Sequence, residues 1–269
     1  MFKKTLLLFS MLLVVGCVQP QYPSTLSGGG VVLGSPVKKV GYLVNVEAYP
    51  THTHIGTTSL TNFTKSYPFK WDIPHYVERQ LATELTQIAG VTPVNLRALG
   101  IMPHEVNGLI KYHNGVYMVA SGKAEVYQRL AQQLGLSAVV IVNQSEKQAF
   151  KDCGLLGCNE VKVKGYGLLS QSFINSNKFY SATPFYAHLY RLKPLEDLDR
   201  YLVKINQDPD MTLVATSVGE KVKPNKIGFV YPKRFNDWTE SELKPFLAPL
   251  QRYIQKMSEL IATVVRDKV

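Results

Sequence analysis

The apolar positions of this chain form two kinds of run, and the two kinds alternate. Val40-Gly-Tyr-Leu-Val-Asn-Val-Glu47 is rich in β-formers and mostly apolar, which predicts a strand buried on both faces or nearly so. Pro74 then stands where the first turn of a helix tolerates it. Val77, Leu81, Leu85 and Ile88 recur at helical spacing, and Gly90 marks the stop. Residues 91–96 are the next strand candidate. A second copy of this grammar follows: Ser121 is positioned to cap a helix whose face carries Val126, Leu130 and Leu134, and Gly135 ends it. Leu136-Ser-Ala-Val-Val-Ile-Val142 has the continuous apolar character of a central strand. Segments 160–174 and 178–192 read as two long strands joined by a turn at Asn175-Ser-Asn177. Residues 194–206 read as helical, and 207–238, with Asp208-Pro-Asp210, Pro224 and Pro232, gives no regular pattern. Thr239-Glu-Ser-Glu242 is a capping box. It opens a closing helix that places Leu250, Ile254, Met257, Ile261 and Val264 or Val265 on one face, with Pro245 and Pro249 confining the regular part to the residues after them.

Strands alternating with helices imply crossovers and a parallel core. The predicted class is α/β or α+β: a two- or three-layer sheet with a β-α-β-α-β core, an added β-hairpin and a C-terminal helix. The domain spans 38–206, and 207–269 is expected as an extension packed on it.

The N-terminus carries a different signal. Lys3 and Lys4 precede an apolar run from Leu6 to Val15 that is interrupted only by Ser10. The run is short of the roughly 20 residues that cross a bilayer, so residues 1–16 read as a secretory signal. Val14-Val15-Gly16-Cys17 resembles the lipobox of bacterial lipoproteins. The resemblance implies that Cys17 is lipidated and becomes the new N-terminus, with the lipid as membrane anchor. Val18 stands where aspartate would favour inner-membrane retention, which implies the outer membrane of a Gram-negative envelope, with the body in the periplasm or at the cell surface. Residues 17–37, with Gly28-Gly-Gly30 and several prolines, then form a tether whose reach is about 25 Å.

Charge and cysteines follow from this address. Losing Lys3 and Lys4 takes the net charge from +10 to +8. Such a surface suits anionic envelope partners such as phospholipid head groups, lipopolysaccharide or cell-wall polymers. The charges are scattered, and nucleic acid is not an expected partner outside the cytoplasm. With Cys17 assigned to lipid, Cys153 and Cys158 remain. Export places them in an oxidising compartment, and their spacing around Gly154 and Gly157 predicts a disulfide pinning a loop or hairpin tip. The alternative, metal ligands or redox thiols, matches neither C-x-x-C nor the usual zinc spacing.

The order of elements is similar to the N-terminal domain of TolB and to lipoproteins of curli secretion and penicillin-binding-protein activation. Gly135-Leu-Ser-Ala-Val-Val-Ile-Val142 occupies the place of their Ala-Asp-Tyr-Val-Val-Val-Gly-like strand. The similarity covers roughly 38–193. It implies a fold, and the chain departs from it in its first loop and its C-terminal region.

The most unusual local sequence is a segment read as a long loop, 48–73, after the first strand, where α/β sheets tend to place ligands. It concentrates His52, His54, Thr57, Thr58 and Asn62. His-x-His spacing puts both imidazoles on one side of an extended chain, a partial metal site that needs a third ligand. His75, His104, His113 or His188 would have to supply it through the fold. The alternative is a threonine-rich loop packed by its own hydrogen bonds. Tyr67-Pro-Phe69-Lys-Trp71 reads either as a cover over one end of the core or as a surface for sugars or lipid. Hydrolase, metalloprotease and phosphate-loop motifs do not occur. Asp208 and Asp210, and Glu196, Asp197 and Asp199, are paired carboxylates that a turn and a solvated helix face also explain. The chain therefore reads as a lipid-anchored binding or assembly module with an envelope protein partner. The alternative is a ligand-binding, metal-binding or hydrolytic lipoprotein that uses residues 49–63. No cofactor is expected beyond that metal ion.

Overall fold

A computed structural model describes residues 37–154, 157–173, 176–206, 219–222 and 236–269. The signal, Cys17, the tether, and Asp208 and Asp210 lie outside them. In chain order the elements begin with β1 (Lys39–Asn45), β2 (Thr51–Ile55), β3 (Phe63–Ser66), α1 (Ile73–Gln87) and β4 (Thr92–Asn95). The short helix α2 (Pro103–Val106), hairpin β5 (Ile110–His113) and β6 (Val116–Val119), α3 (Ala124–Gln128) and β7 (Leu136–Gln144) follow. Next come β8 (Glu146–Gly154), β9 (Gly157–Lys164), β10 (Gly167–Phe173), β11 (Ser176–Ala182), β12 (Phe185–Leu192) and β13 (Leu195–Asp197). The last elements are α4 (Val203–Asn206), β14 (Gly219–Val222), α5 (Glu240–Leu243) and α6 (Leu247–Lys268).

The fold is mixed α/β, with several mixed sheets and a C-terminal helix. The first sheet has the order β13-β12-β7-β1-β4, with β1 parallel to both β4 and β7. This is the β-α-β-α-β core. Val40, Tyr42, Val44, Val140 and Val142 on one face share a cluster with α1 and α6. Leu43, Val139 and Ile141 on the other face pack with Val106, Leu130 and Ala131. Burial on both faces explains why β1 and β7 read as continuous apolar runs.

The second sheet, β14-β11-β10-β2-β3, is where pattern and structure part company. The segment read as one strand over 160–174 is two. Gly165 and Gly167 take positive φ of 89° and 136° between β9 and β10, a bend that a side chain resists. The segment read as a long loop contains β2 and β3, because their polar side chains hide the strand from a count of apolar residues. The expected helix over 194–206 is a short strand, a 3-10 turn and α4. Lys193-Pro194 ends β12, and Leu192 pairs with Leu195 across it. Ser121 is not a cap: Gly122 adopts φ 76°, and the helix starts at Ala124 after Lys123.

Helix α6 forms the shared wall. Thr239 and Glu242 make the reciprocal capping bonds of α5, and the 3-10 turn Lys244–Phe246 leads into α6. Pro249 falls within its first turn, where no intrahelical N–H is lost. Leu250, Ile254, Met257 and Ile261 are fully buried in the cluster that also holds Leu81 of α1, Val140 of β7 and Phe179 of β11. Each such side chain contributes roughly 1.5–3 kcal/mol relative to exposure. Ile254→Ala is expected to cost about 2–5 kcal/mol through lost transfer energy and a residual cavity. Urea unfolding should show a lowered midpoint with an unchanged slope.

Candidate functional site

Strand alternation places His52 and His54 on the same face of β2. Register places Ser170 of β10 beside His54 and Leu168 beside His52. The Ser170 Oγ lies 2.6 Å from His52 Nε2 and 2.8 Å from His54 Nδ1. A serine hydroxyl has one proton, so with both rings neutral one ring nitrogen donates to Oγ and the other accepts from it. Aromatic rings also hold the pair, edge-on at His52 and tilted at His54. Phe63 of β3 is 5.0 Å from His52 and 5.1 Å from His54, and Trp238 is 5.4 Å from His52.

Burial sets the protonation. His52 is 0% exposed, His54 5% and Ser170 0%. Desolvation, helped by the neighbouring His54, pushes His52 down to about 3. Burial also lowers His54. Both imidazoles are therefore neutral at pH 7. No substrate carbonyl reaches Ser170 in this arrangement, because the hydroxyl has no exposed surface.

Above this cluster lies an open groove of about 820 Å³, lined among others by His54, Thr57, Thr58, Leu60, Asn62 and Lys65. The turn that forms it is closed by its own hydrogen bonds. Gly56 N–H donates to Asn62 Oδ1 at 2.8 Å, and Thr61 Oγ1 donates to the Thr58 carbonyl at 2.7 Å. Gly56 is required there, since a Cβ would come 1.8 Å from Thr61 Oγ1. Leu60 stands at the rim, 95% exposed. Of the residues singled out from the sequence, His54, Thr57, Thr58 and Asn62 meet at this groove. His52 does not line it and lies buried in the core behind His54.

The other candidates separate. Among the described residues no group of three His, Cys, Asp or Glu could hold a metal ion. His75 bonds Asp72 at 2.7 Å on the surface, His113 sits on the β5–β6 hairpin, and His104 lies at a small cavity with Glu105 and Lys123. His188 Nδ1 is 2.5 Å from Asp199 Oδ2, which raises its pKa, and Asp199 Oδ1 accepts from the Leu189 N–H. Glu196 pairs with Arg191 and Arg200. These carboxylates tie the turn after β13 back onto β12. Tyr67 and Trp71 are buried, and Phe69 stacks on Tyr67 at 5.3 Å, so this aromatic group covers the core. Cys153 and Cys158 are opposite each other in the β8–β9 register, but their side chains lie outside the described residues.

Sequence reasoning missed Ser170, Phe63 and Trp238. Ser170 left a faint trace as the polar residue on the buried face of Gly167-Leu-Leu-Ser-Gln171. Only pairing reveals that this face meets β2.

Two neutral buried histidines make stability fall in acid. An unfolded histidine titrates near 6.5, whereas folded His52 stays neutral down to about 3. Between those values the unfolded chain binds the extra proton, so stability drops as pH falls, by up to about 1.4 kcal/mol per pH unit for one histidine. Thermal melts from pH 7.5 to 5 should show this slope beginning near pH 6.5. His52→Gln should lower stability by about 1–3 kcal/mol at pH 7.5 and flatten the slope. An equal slope in the variant would show that the pair is not its source.

No protein-family model, curated protein or solved structure matches the chain.

Proposed function

We propose that this chain is a lipid-anchored binding module of the cell envelope, with the β2–β3 groove as its contact surface. One observation carries the reading: the residues most capable of catalysis, His52, His54 and Ser170, are buried and committed to one another. The groove beside them offers hydroxyls, an amide, Lys65 and the exposed Leu60. An open trough of this kind fits a segment of another macromolecule better than a small substrate, which enclosed pockets hold. The lipobox-like Val14-Val15-Gly16-Cys17 supports the anchor. No described helix is long and apolar enough to cross a membrane, so the proposed attachment rests on Cys17.

Cys17→Ser should move the protein from the membrane fraction to the soluble fraction and abolish labelling with a palmitate analogue. A photo-crosslinking residue at Leu60, in the lipidated protein in intact envelopes, should give an adduct of defined mass. The same residue at Glu78 on α1 should not. A membrane-bound Cys17→Ser protein would remove the anchor from the proposal, and absence of a Leu60 adduct would remove the groove.

The same address bears on the two remaining cysteines. We propose a Cys153–Cys158 bridge at the end of the β8–β9 hairpin, supported by their opposed backbone positions. Thiol titration of the denatured, unreduced mature protein should find no free thiol, and two would rule the bridge out.

A further inference from the structure

A second cavity, of about 520 Å³, opens at the carboxyl ends of β1 and β7. From these ends the chain passes from β1 into β2 of the second sheet and from β7 into the β8–β9 hairpin. The crevice outside the carboxyl ends of parallel strands is a usual place for a ligand in an open α/β sheet. Here the lid over that crevice comes from the second sheet. Gly165 holds φ 89° against Thr51, and a Cβ there would lie 2.6 Å from Thr51 Oγ1 and 3.3 Å from Gln144 Nε2.

The lining is polar, and its donors and acceptors are sorted by internal bonds. Asn45 Nδ2 donates to Asn143 Oδ1 at 3.1 Å, which leaves Asn45 Oδ1 as an acceptor. Gln144 Oε1 accepts from the Glu47 N–H at 3.3 Å, which leaves Gln144 Nε2 as a donor. Ser145 also lines the cavity, and its hydroxyl is buried without a hydrogen-bond partner, an omission that folded proteins rarely leave unfilled. Glu47, Glu146 and Lys164 give the lining a net negative balance, and Glu146 is paired with Lys162 at 3.5 Å. An anion such as phosphate finds no cationic cradle here. Tyr49, 44% exposed, is the aromatic residue of the lining.

We infer that this cavity is a binding site for a pyranose sugar unit. Each sugar hydroxyl both donates and accepts, which matches interleaved amides and a carboxylate. The apolar face of the ring suits an aromatic platform. The site is separate from the β2–β3 groove and does not rest on its role.

Titration of the full mature protein with N-acetylglucosamine tetramer and with maltotetraose, followed by NMR shift perturbation, tests the site and separates an amino-sugar polymer from a neutral glucan. One of the two should perturb Asn45, Gln144 and Ser145 amides. Gln144→Ala should weaken that binding at least tenfold. Ser66→Trp, which places bulk in the mouth from the exposed strand β3, should abolish it while the thermal melt stays near wild type. Inorganic phosphate at the same concentrations should leave these amides unmoved. Failure of both oligosaccharides, binding that survives Ser66→Trp, or stronger shifts with phosphate would each overturn the inference.

Discussion

The molecule depends on one helix being shared by two sheets. Helix α6 has 22 residues, a length of about 33 Å. Its ends are fastened to different parts of the fold. At the start, Ser181 Oγ of β11 donates to the Phe246 carbonyl at 2.9 Å. At the end, Arg191 of β12 donates to the Lys268 carbonyl, and Lys38 just before β1 donates to that of Val269. Between these points the buried stripe of α6 closes the core over α1 and both sheets. Helix α1 covers part of the first sheet and α6 closes the remaining core against the second, because a strand face exposes apolar side chains on alternate positions and needs an opposing layer.

That shared core explains how the second sheet tolerates polar residues on its inner face. Burying an imidazole is costly unless it is neutral and hydrogen-bonded. Ser170 serves both rings with one hydroxyl, and Phe63 and Trp238 exclude water around them. The cost is met only while Trp238, just before α5, stays packed beside Phe179 and Phe246. The histidine pair is thus sensitive to the same C-terminal segment that closes the core.

Legibility in the sequence followed apolar density. β1, α1, β7 and α6 were readable because their inward positions are nearly all Val, Leu, Ile or Met, at the period of a strand or a helix. β2 was not, since Thr51-His-Thr-His54 carries no aliphatic residue, yet all four side chains are buried. Its strand character comes from pairing with β10 and β3, a long-range fact that no local window contains. The same limit applied to the site. The clustering of His54, Thr57, Thr58 and Asn62 could be read from proximity along the chain. The second cavity could not, because Asn45, Gln144 and Lys164 come from three strands far apart in sequence.

The register of β2 is the point where these observations meet. Thr51, its first residue, forms part of the cavity wall, and His54, three residues on, lines the groove. A slip of one residue would turn every side chain of the strand to the opposite face and would dismantle both places together. Two local contacts resist it. Ser170 holds His52 and His54 from β10, and the close approach of Gly167, where a Cβ would lie 2.4 Å from the Thr51 carbonyl oxygen, fits only this alignment. A buried polar cluster is an expensive way to hold a strand, but it discriminates against a shifted pairing more sharply than interchangeable aliphatic contacts would. In a shifted strand the imidazoles lose Ser170 and the hydroxyl is left buried without them. The His–Ser–His cluster is therefore best understood as the device that fixes where the groove- and cavity-lining residues of β2 stand.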